Sequence, residues 1–156
     1  MSRHAVRCLP SQLRLAVGPR ISEATQQNTL LLVFRNVSAI GCAMRGYPGI
    51  ALTDRAGAGL ALRYRRHGDQ MITRMSPVLV PLPPDAVAYS AINQNTCTTF
   101  ERRAVRVEVI PPGGHEALAL RLPAYPILGY CGPGDPGHVI DIAPVEPTAP
   151  AVLARP

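Results

Sequence analysis

Apolar residues recur at every second position in several short segments of the chain. Leu13, Leu15 and Val17 show this alternation, and so do the valines on either side of Arg106 and Glu108. A period of two places successive side chains on opposite faces of a β-strand. Proline, glycine and asparagine separate the segments, as turns require. The pattern predicts short strands at 13–17, 29–36, 50–53, 60–64, 77–82, 86–93, 105–109, 118–122 and 139–142.

Two of these segments depart from simple alternation. Residues 29–36 are apolar on both faces, which predicts a central strand that is covered on both sides. Residues 77–82 include Pro77 and Pro81, and proline cannot donate to a strand ladder. We therefore expect an edge strand or a sheet-crossing segment at this position.

The pattern as a whole predicts an all-β protein with about seven to nine strands. A two-sheet antiparallel β-sandwich fits best, and a closed barrel is the alternative because it gives the same alternation. No sustained helical periodicity is visible. We expect one β-sandwich domain over residues 1–145 and a flexible tail rich in proline and alanine over residues 146–156.

Composition limits the core and the partners. The 156 residues suit one domain, and 47% hydrophobic with 4% aromatic residues and no tryptophan indicates an aliphatic core. The formal charge is +6, and all 16 basic residues are arginine. These arginines are spread along the chain, so a solvated basic surface is the simpler interpretation and nucleic acid is not the expected partner.

The cysteines bear on the compartment. The chain has four, Cys8, Cys42, Cys97 and Cys131, and the first pair and the second pair are each 34 residues apart. Four cysteines allow three connectivities, which sequence alone does not decide; we expect sequential pairing, and four free buried thiols are the alternative. Disulfides persist in oxidising compartments. We therefore expect an extracellular or cell-envelope location, although no leader and no apolar run long enough to cross a membrane is visible.

A rigid turn follows the second cysteine. Gly46-Tyr47-Pro48-Gly49 combines a proline with fixed φ and two permissive glycines, which together favour a tight reversal before the strand at 50–53. We expect this structural turn to form a corner that Cys42 anchors to the N-terminal segment through Cys8.

Candidate chemistry is sparse. The four histidines lack metal-ligand spacing, and no carboxylate pair or nucleophile motif stands out. We therefore expect no enzyme activity, cofactor or metal. Arg63, Arg65 and Arg66 form the densest basic cluster, a candidate anion-binding patch against the simpler interpretation of a solvated strand face. Four arginines would extend the patch if the fold brings them near: Arg74, Arg102, Arg103 and Arg106.

Several ordered segments resemble one known family. They are Cys8 to Leu13, Leu32 to Ser38 with Asn36-Val37-Ser38, Cys42 with the turn at residues 46–49, Val107 to Pro112, Cys131 and Val145. Together they resemble the actinobacterial secreted or lipid-anchored domain-of-unknown-function family numbered 4232. The chain departs from it at Pro83-Pro84, where many relatives have Pro-Gly.

The resemblance implies an immunoglobulin-like β-sandwich with two disulfides, usually exported and without an assigned activity. It brings no catalytic residues to this chain. We therefore expect a non-catalytic binding or interaction module that binds a partner through its loops or a sheet face; the partner is unknown, and another envelope protein and an anionic polymer are the candidates. The alternatives are an arginine-mediated binder of an anionic polymer and, third, a small enzyme with an unrecognised site.

Overall fold

The computed structural model describes residues 6–21, 27–95, 97 and 99–154. Over these residues the protein is rich in β-structure, as the alternation predicts. The helical pieces described are two 3-10 turns, Pro10–Gln12 and Pro136–His138, and one short helix, α1 (Ala149–Val152). The strand segments are β1 (Leu13–Val17), β2 (Gln27–Asn36), β3 (Cys42–Met44), β4 (Gly49–Thr53), β5 (Arg63–Arg65), β6 (Val80–Leu82), β7 (Val87–Asn95), β8 (Arg102–Arg103), β9 (Arg106–Ile110), β10 (Leu118–Arg121), β11 (Gly129–Tyr130) and β12 (Val139–Ile142).

The strands form four sheets in the described part of the chain. The largest has the order β1-β2-β7-β12-β5, and a second has the order β10-β9-β4. Two ribbons, β8 with β11 and β3 with β6, complete the set. There are more strand segments than the predicted seven to nine, because three short ones, β3, β8 and β11, lie outside the predicted strands. Such short pairings leave no alternation to recognise in a sequence.

One pairing contradicts the prediction of wholly antiparallel sheets. β5 runs parallel to β12, with Arg63 opposite Val139 and Arg65 opposite Asp141. Parallel neighbours require a long connection between them, and residues 66–138 provide it. The alternation of side chains is the same in both directions, so it could not predict this pairing.

β2 is an interior strand of the five-stranded sheet, as its apolar faces predict. It pairs with β1 on one edge and with β7 on the other. Leu30, Leu32 and Phe34 are buried in the main core with Leu52 of β4 and Val107 of β9. The main core therefore lies between the five-stranded sheet and the three-stranded sheet.

The opposite face of β2 is also covered, which explains its continuous apolar run. Leu31 belongs to a second buried cluster with Ile72 and Val152. The covering residues come from the loop after β5 and from α1 near the C-terminus. A strand that is buried on both faces cannot alternate between apolar and polar residues.

The C-terminal segment is packed, and the prediction of a flexible tail is wrong for residues 146–154. The backbones of Glu146 and Tyr89 exchange hydrogen bonds of 2.9 and 2.8 Å. Further along, the Thr73 amide donates to the Val152 carbonyl at 2.7 Å. Val152 is fully buried, so an apolar residue in a proline- and alanine-rich segment covers the outer face of the sheet. The last two residues, 155 and 156, lie outside the described part of the chain.

The two disulfides have the predicted sequential connectivity. Cys8 bonds to Cys42, and Cys97 bonds to Cys131. The first bridge joins the N-terminal segment to β3, next to a hydrogen bond from the Cys8 amide to the Ala43 carbonyl at 3.0 Å. The second joins the end of β7 to the end of β11.

The predicted corner lies between β3 and β4, which belong to different sheets. Gly46 has φ +112°, a backbone region that glycine tolerates best. Pro48 is buried, and Tyr47 is half-buried against the main core. The Gly46 carbonyl accepts a hydrogen bond of 2.9 Å from the Val145 amide. The turn therefore carries the chain from the β3–β6 ribbon to the three-stranded sheet. It also hydrogen-bonds with the segment that follows β12.

We predict that Cys42→Ser lowers the free energy of unfolding of the oxidised protein by ~3–4 kcal/mol. The bridge closes a loop with a sequence separation of 34, and cross-links of that length restrict the unfolded chain by about this amount. Urea denaturation of the oxidised wild type and variant measures the difference. The Cys8→Ser/Cys42→Ser double variant is the control for mispairing of the thiol left at Cys8. Equal unfolding midpoints for wild type and double variant would contradict a stabilising role for this bridge.

Candidate functional site

The predicted basic cluster is present on β5, but its middle arginine is already engaged. Arg63, Arg65 and Arg66 are exposed. Arg65 donates two hydrogen bonds to Asp141 on the neighbouring strand, Nε to Oδ1 at 2.8 Å and Nη2 to Oδ2 at 3.1 Å. A bidentate pair of this kind occupies the planar edge with which a guanidinium binds an anion. Arg65 is therefore part of the framework, and the cluster offers less free positive charge than its sequence suggests.

Asp141 belongs to a buried polar network below this pair. The Asp69 Oδ2 atom accepts a hydrogen bond from Asn93 Nδ2 at 2.9 Å, and Thr29 Oγ1 donates to Asn93 Oδ1 at 2.7 Å. Asp69 Oδ1 caps its own loop by accepting from the amides of Met71 and Ile72. The network ties the loop after β5 to β2, β7 and β12, and its bonds are internal to the fold.

Burial gives Asp141 an unusual protonation equilibrium. Desolvation raises the pKa of Asp141 above its ordinary value of 3.8, the Arg65 guanidinium opposes this rise, and the neighbouring Asp69 adds to it. Burial likewise raises the pKa of Glu146. Both carboxyl groups therefore bind protons more tightly in the folded protein than in the unfolded chain.

A separate cleft of about 590 Å³ lies between the turn after β4 and strand β8. We call it the arginine cleft, and it is lined by Asp54, Arg55, Ala56, Arg102, Arg103 and Val105. Three of these six residues are arginines from two segments that are far apart in the chain. Arg63, Arg65 and Arg66 are not among the lining residues, and neither are Arg74 and Arg106.

Asp54 organises one wall of the arginine cleft. Its Oδ1 atom accepts hydrogen bonds from the amides of Ala56 at 2.9 Å and Ala58 at 3.0 Å, which closes the turn. Its Oδ2 atom forms an ion pair with Arg102. The Asp54 side chain is 12% exposed while that of Arg102 is 48% exposed. Asp54 therefore holds the Arg102 guanidinium in place and leaves much of it open to solvent.

Strand β8 forms the other wall and is tied to β11. The backbone bonds continue on both sides of the pairing, from the Glu101 amide to the Tyr130 carbonyl at 2.9 Å and from the Ala104 amide to the Leu128 carbonyl at 2.8 Å. At Gly129 a Cβ atom would lie 2.3 Å from the Arg102 carbonyl oxygen, so only glycine allows this approach. The Cys97–Cys131 bridge closes the same ribbon at its end.

Two of these arginines are candidate residues in the sequence, but their neighbours in the structure differ from the expected ones. Arg102 and Arg103 were expected as neighbours of the β5 cluster, and the structure brings them to Asp54 and Arg55. The turn has a recognisable local signal, because Asp54 is followed within three residues by Gly57. No local signal connects that turn to a strand that lies 48 positions further along, so Asp54 and Arg55 were missed.

Metal-ligand clusters and membrane-spanning helices are both absent from the described residues. No group of three or more histidine, cysteine, aspartate or glutamate residues is placed to hold a metal ion there. None of the helices in the same residues is long and apolar enough to cross a membrane.

Comparison with known proteins identifies a family. The model of the family described as Domain of unknown function (DUF4232) matches residues 8–146. A search of curated proteins found no match. A search of solved structures also found none.

We predict that Asp141→Asn reduces the pH dependence of stability. Because the folded pKa of Asp141 is raised, its protonation stabilises the folded state, and this contribution is fully present below the unfolded pKa. It is lost as the pH rises through the folded value. Relative to the Asp141→Asn variant, the wild type should therefore gain free energy of unfolding as the pH falls from neutral toward 3.8. Urea denaturation across this range measures both slopes.

Glu108→Gln is the matched control for this experiment, because Glu108 is exposed on β9. Its slope should equal that of the wild type. A slope that is unchanged in Asp141→Asn would show that the buried carboxyl does not carry the effect.

Proposed function

We propose that this chain, which belongs to the DUF4232 family, is a non-catalytic binding module of an extracellular or cell-envelope protein. We further propose that it is an immunoglobulin-like β-sandwich that engages its partner through the arginine cleft. The proposal joins the compartment, the scaffold and the binding surface, and each has its own support.

The two disulfides support the compartment. Each of the four cysteines is paired, and none is free. Disulfides persist where the environment is oxidising and are rare in reducing compartments. The bridges fasten the two ends of the fold, at the N-terminal segment and at the ribbon of β8 with β11, so the folded state benefits from an oxidising setting.

The arrangement of sheets supports the sandwich. The five-stranded sheet and the three-stranded sheet contribute apolar faces to one core, which is the organisation of two packed antiparallel sheets. The parallel strand β5 adds to one edge of the larger sheet and leaves the opposed faces unchanged.

The open arginine cleft on a fastened scaffold is the single observation that carries the binding function. Its turn is closed by Asp54 and its strand is held by β11 and a disulfide. Because the backbone of both walls and the Arg102 side chain are already held, binding would cost less conformational entropy than it would at a mobile loop. The one carboxylate of the cleft accepts two amide hydrogen bonds and pairs with Arg102. It is therefore engaged in structure, which favours a binding role for the cleft over acid–base chemistry.

We predict that the oxidised protein binds saturably to the cell-envelope fraction of the organism that encodes it, and that Arg102→Ala/Arg103→Ala weakens this binding by about tenfold or more. Loss of two positioned charged donors at a contact should remove at least ~1.4 kcal/mol of binding free energy. Sedimentation of labelled protein with the envelope fraction measures it.

The control is Arg14→Ala/Arg45→Ala, which removes the same charge from exposed positions outside the cleft. This control should bind like the wild type. Equal weakening in both double variants would indicate attraction by net charge alone and would count against the cleft. Binding that does not saturate would count against a specific binding module.

A further inference from the structure

We infer that the arginine cleft is a recognition site for an acidic peptide segment of a partner protein, in which carboxylate side chains are interspersed with apolar ones. This inference rests on the proposed binding function and adds the chemical class of the ligand. It follows from the charges of the cleft, the orientation of Arg102 and the apolar part of the lining.

The charges of the cleft do not cancel. Three arginines line it against one aspartate, and that aspartate is paired with Arg102. Arg55 and Arg103 form no ion pair with any residue that the structure describes. The cleft therefore keeps an excess of two positive charges, and the ligand that balances it carries negative groups close together.

Arg102 is the best-positioned of the three. A guanidinium has five N–H donors in a fixed plane, and the pairing with Asp54 uses only part of them. Nearly half of the side chain remains exposed toward the cleft. Arginine binds carboxylates through two parallel hydrogen bonds when its plane is already oriented. Asp54 is thus a positioning residue that prepares Arg102 for an incoming carboxylate.

The lining also has an apolar component, which favours a peptide over a uniformly charged polymer. Ala56 and Val105 contribute apolar side chains to the walls. A peptide can place an apolar side chain on this surface while its carboxylates meet the guanidinium groups. Excluding water in this way strengthens the charged contacts beside it. A phosphate polymer or an acidic polysaccharide has no comparable apolar group to bury.

The second disulfide makes the site dependent on oxidation. Arg102 and Arg103 form β8, whose only strand partner among the described residues is β11. The Cys97–Cys131 bridge restrains both segments, since Cys131 directly follows β11 and Cys97 precedes β8 by five residues. Opening this bridge should let β8 depart from the position in which it faces Asp54. The first bridge lies at β3, away from the lining residues.

The test uses the oxidised full chain and a fluorescein-labelled peptide in which glutamate alternates with valine. Fluorescence anisotropy at low salt should show saturable binding. The same peptide with glutamine in place of glutamate should bind more weakly by a factor of about ten or more, because the carboxylates are removed. Arg102→Gln/Arg103→Gln should lose about the same factor, while Arg14→Gln/Arg45→Gln should match the wild type. Equal binding of the two peptides, or an equal loss in both double variants, overturns the inference.

Asp54→Asn separates an oriented site from a diffuse basic patch. The asparagine oxygen can still accept the amide hydrogen bonds of the turn, and the variant gains one unit of positive charge. A diffuse patch would bind the glutamate peptide more tightly after this change. An oriented site should bind it more weakly, because Arg102 is released. Unchanged or tighter binding overturns the positioning role of Asp54.

Competition distinguishes a failure of this inference from a failure of the proposed function. One outcome is that polyphosphate or an acidic polysaccharide competes with the envelope fraction for the cleft arginines, while the glutamate peptide does not bind. In that case the peptide assignment is wrong and the binding function stands. If binding of the envelope fraction and of all these probes is independent of the cleft arginines, both the inference and the proposed function are wrong.

The dependence on the second bridge is tested with two double variants whose folding is checked by circular dichroism. Cys97→Ser/Cys131→Ser should weaken peptide binding, whereas Cys8→Ser/Cys42→Ser should leave it unchanged. The reverse pattern contradicts the dependence on the second bridge.

Discussion

The antiparallel pairing of β2 with β7 is the contact on which the rest of this structure depends. The ladder runs without interruption from Gln27 opposite Asn95 to Arg35 opposite Val87. β1 extends it on one side and β12 on the other, so each further strand of the large sheet is added to a pair that already exists. Side chains of β2 enter both buried clusters. Because this pair contributes to both, a shift of its register by one residue would exchange the apolar faces and disrupt them together.

The polar residues of this pair restrict the register as strongly as the apolar ones. Asn93 on β7 lies between Thr29 on β2 and Asp69 in the loop after β5, and hydrogen-bonds with both. A buried amide without such partners would be costly. Among the described side chains, no buried nitrogen or oxygen lacks a hydrogen-bond partner. The network therefore accepts one arrangement of β2, β7 and the loop, and it directs the Asp69 loop onto the outer face of the sheet.

The two groups of arginines show how the same residue type serves structure in one place and an open surface in another. Arg65 faces a buried carboxylate across a strand pair and donates to it through Nε and Nη2. Arg102 pairs through its Nη2 atom with a carboxylate whose other oxygen closes a surface turn. The side chains of Arg65 and Arg102 are 45% and 48% exposed, so the two arginines differ in how they are bonded and not in how exposed they are. The two carboxylates also differ in position: Asp141 lies on β12 of the five-stranded sheet, whereas Asp54 follows β4, an edge strand of the three-stranded sheet. Positive charge in the sequence is therefore a poor guide to available positive charge on the surface.

The sequence by itself determined the strands that are long enough to alternate, the interior position of β2, the corner at residues 46–49 and the three connectivities open to the four cysteines. These features depend on local preferences, on burial or on few alternatives, so they are visible along the chain. Only the tertiary structure decided the parallel direction of β5, the packing of Val152 on the sheet and the meeting of Asp54 with Arg102. Each of these depends on contacts between residues distant in sequence. The alternation of side chains carries no information on strand direction, and a proline-rich segment shows no periodicity until a surface exists for it to cover. The candidate site falls almost wholly in this second class, because its two walls come from segments that only the folded chain brings together.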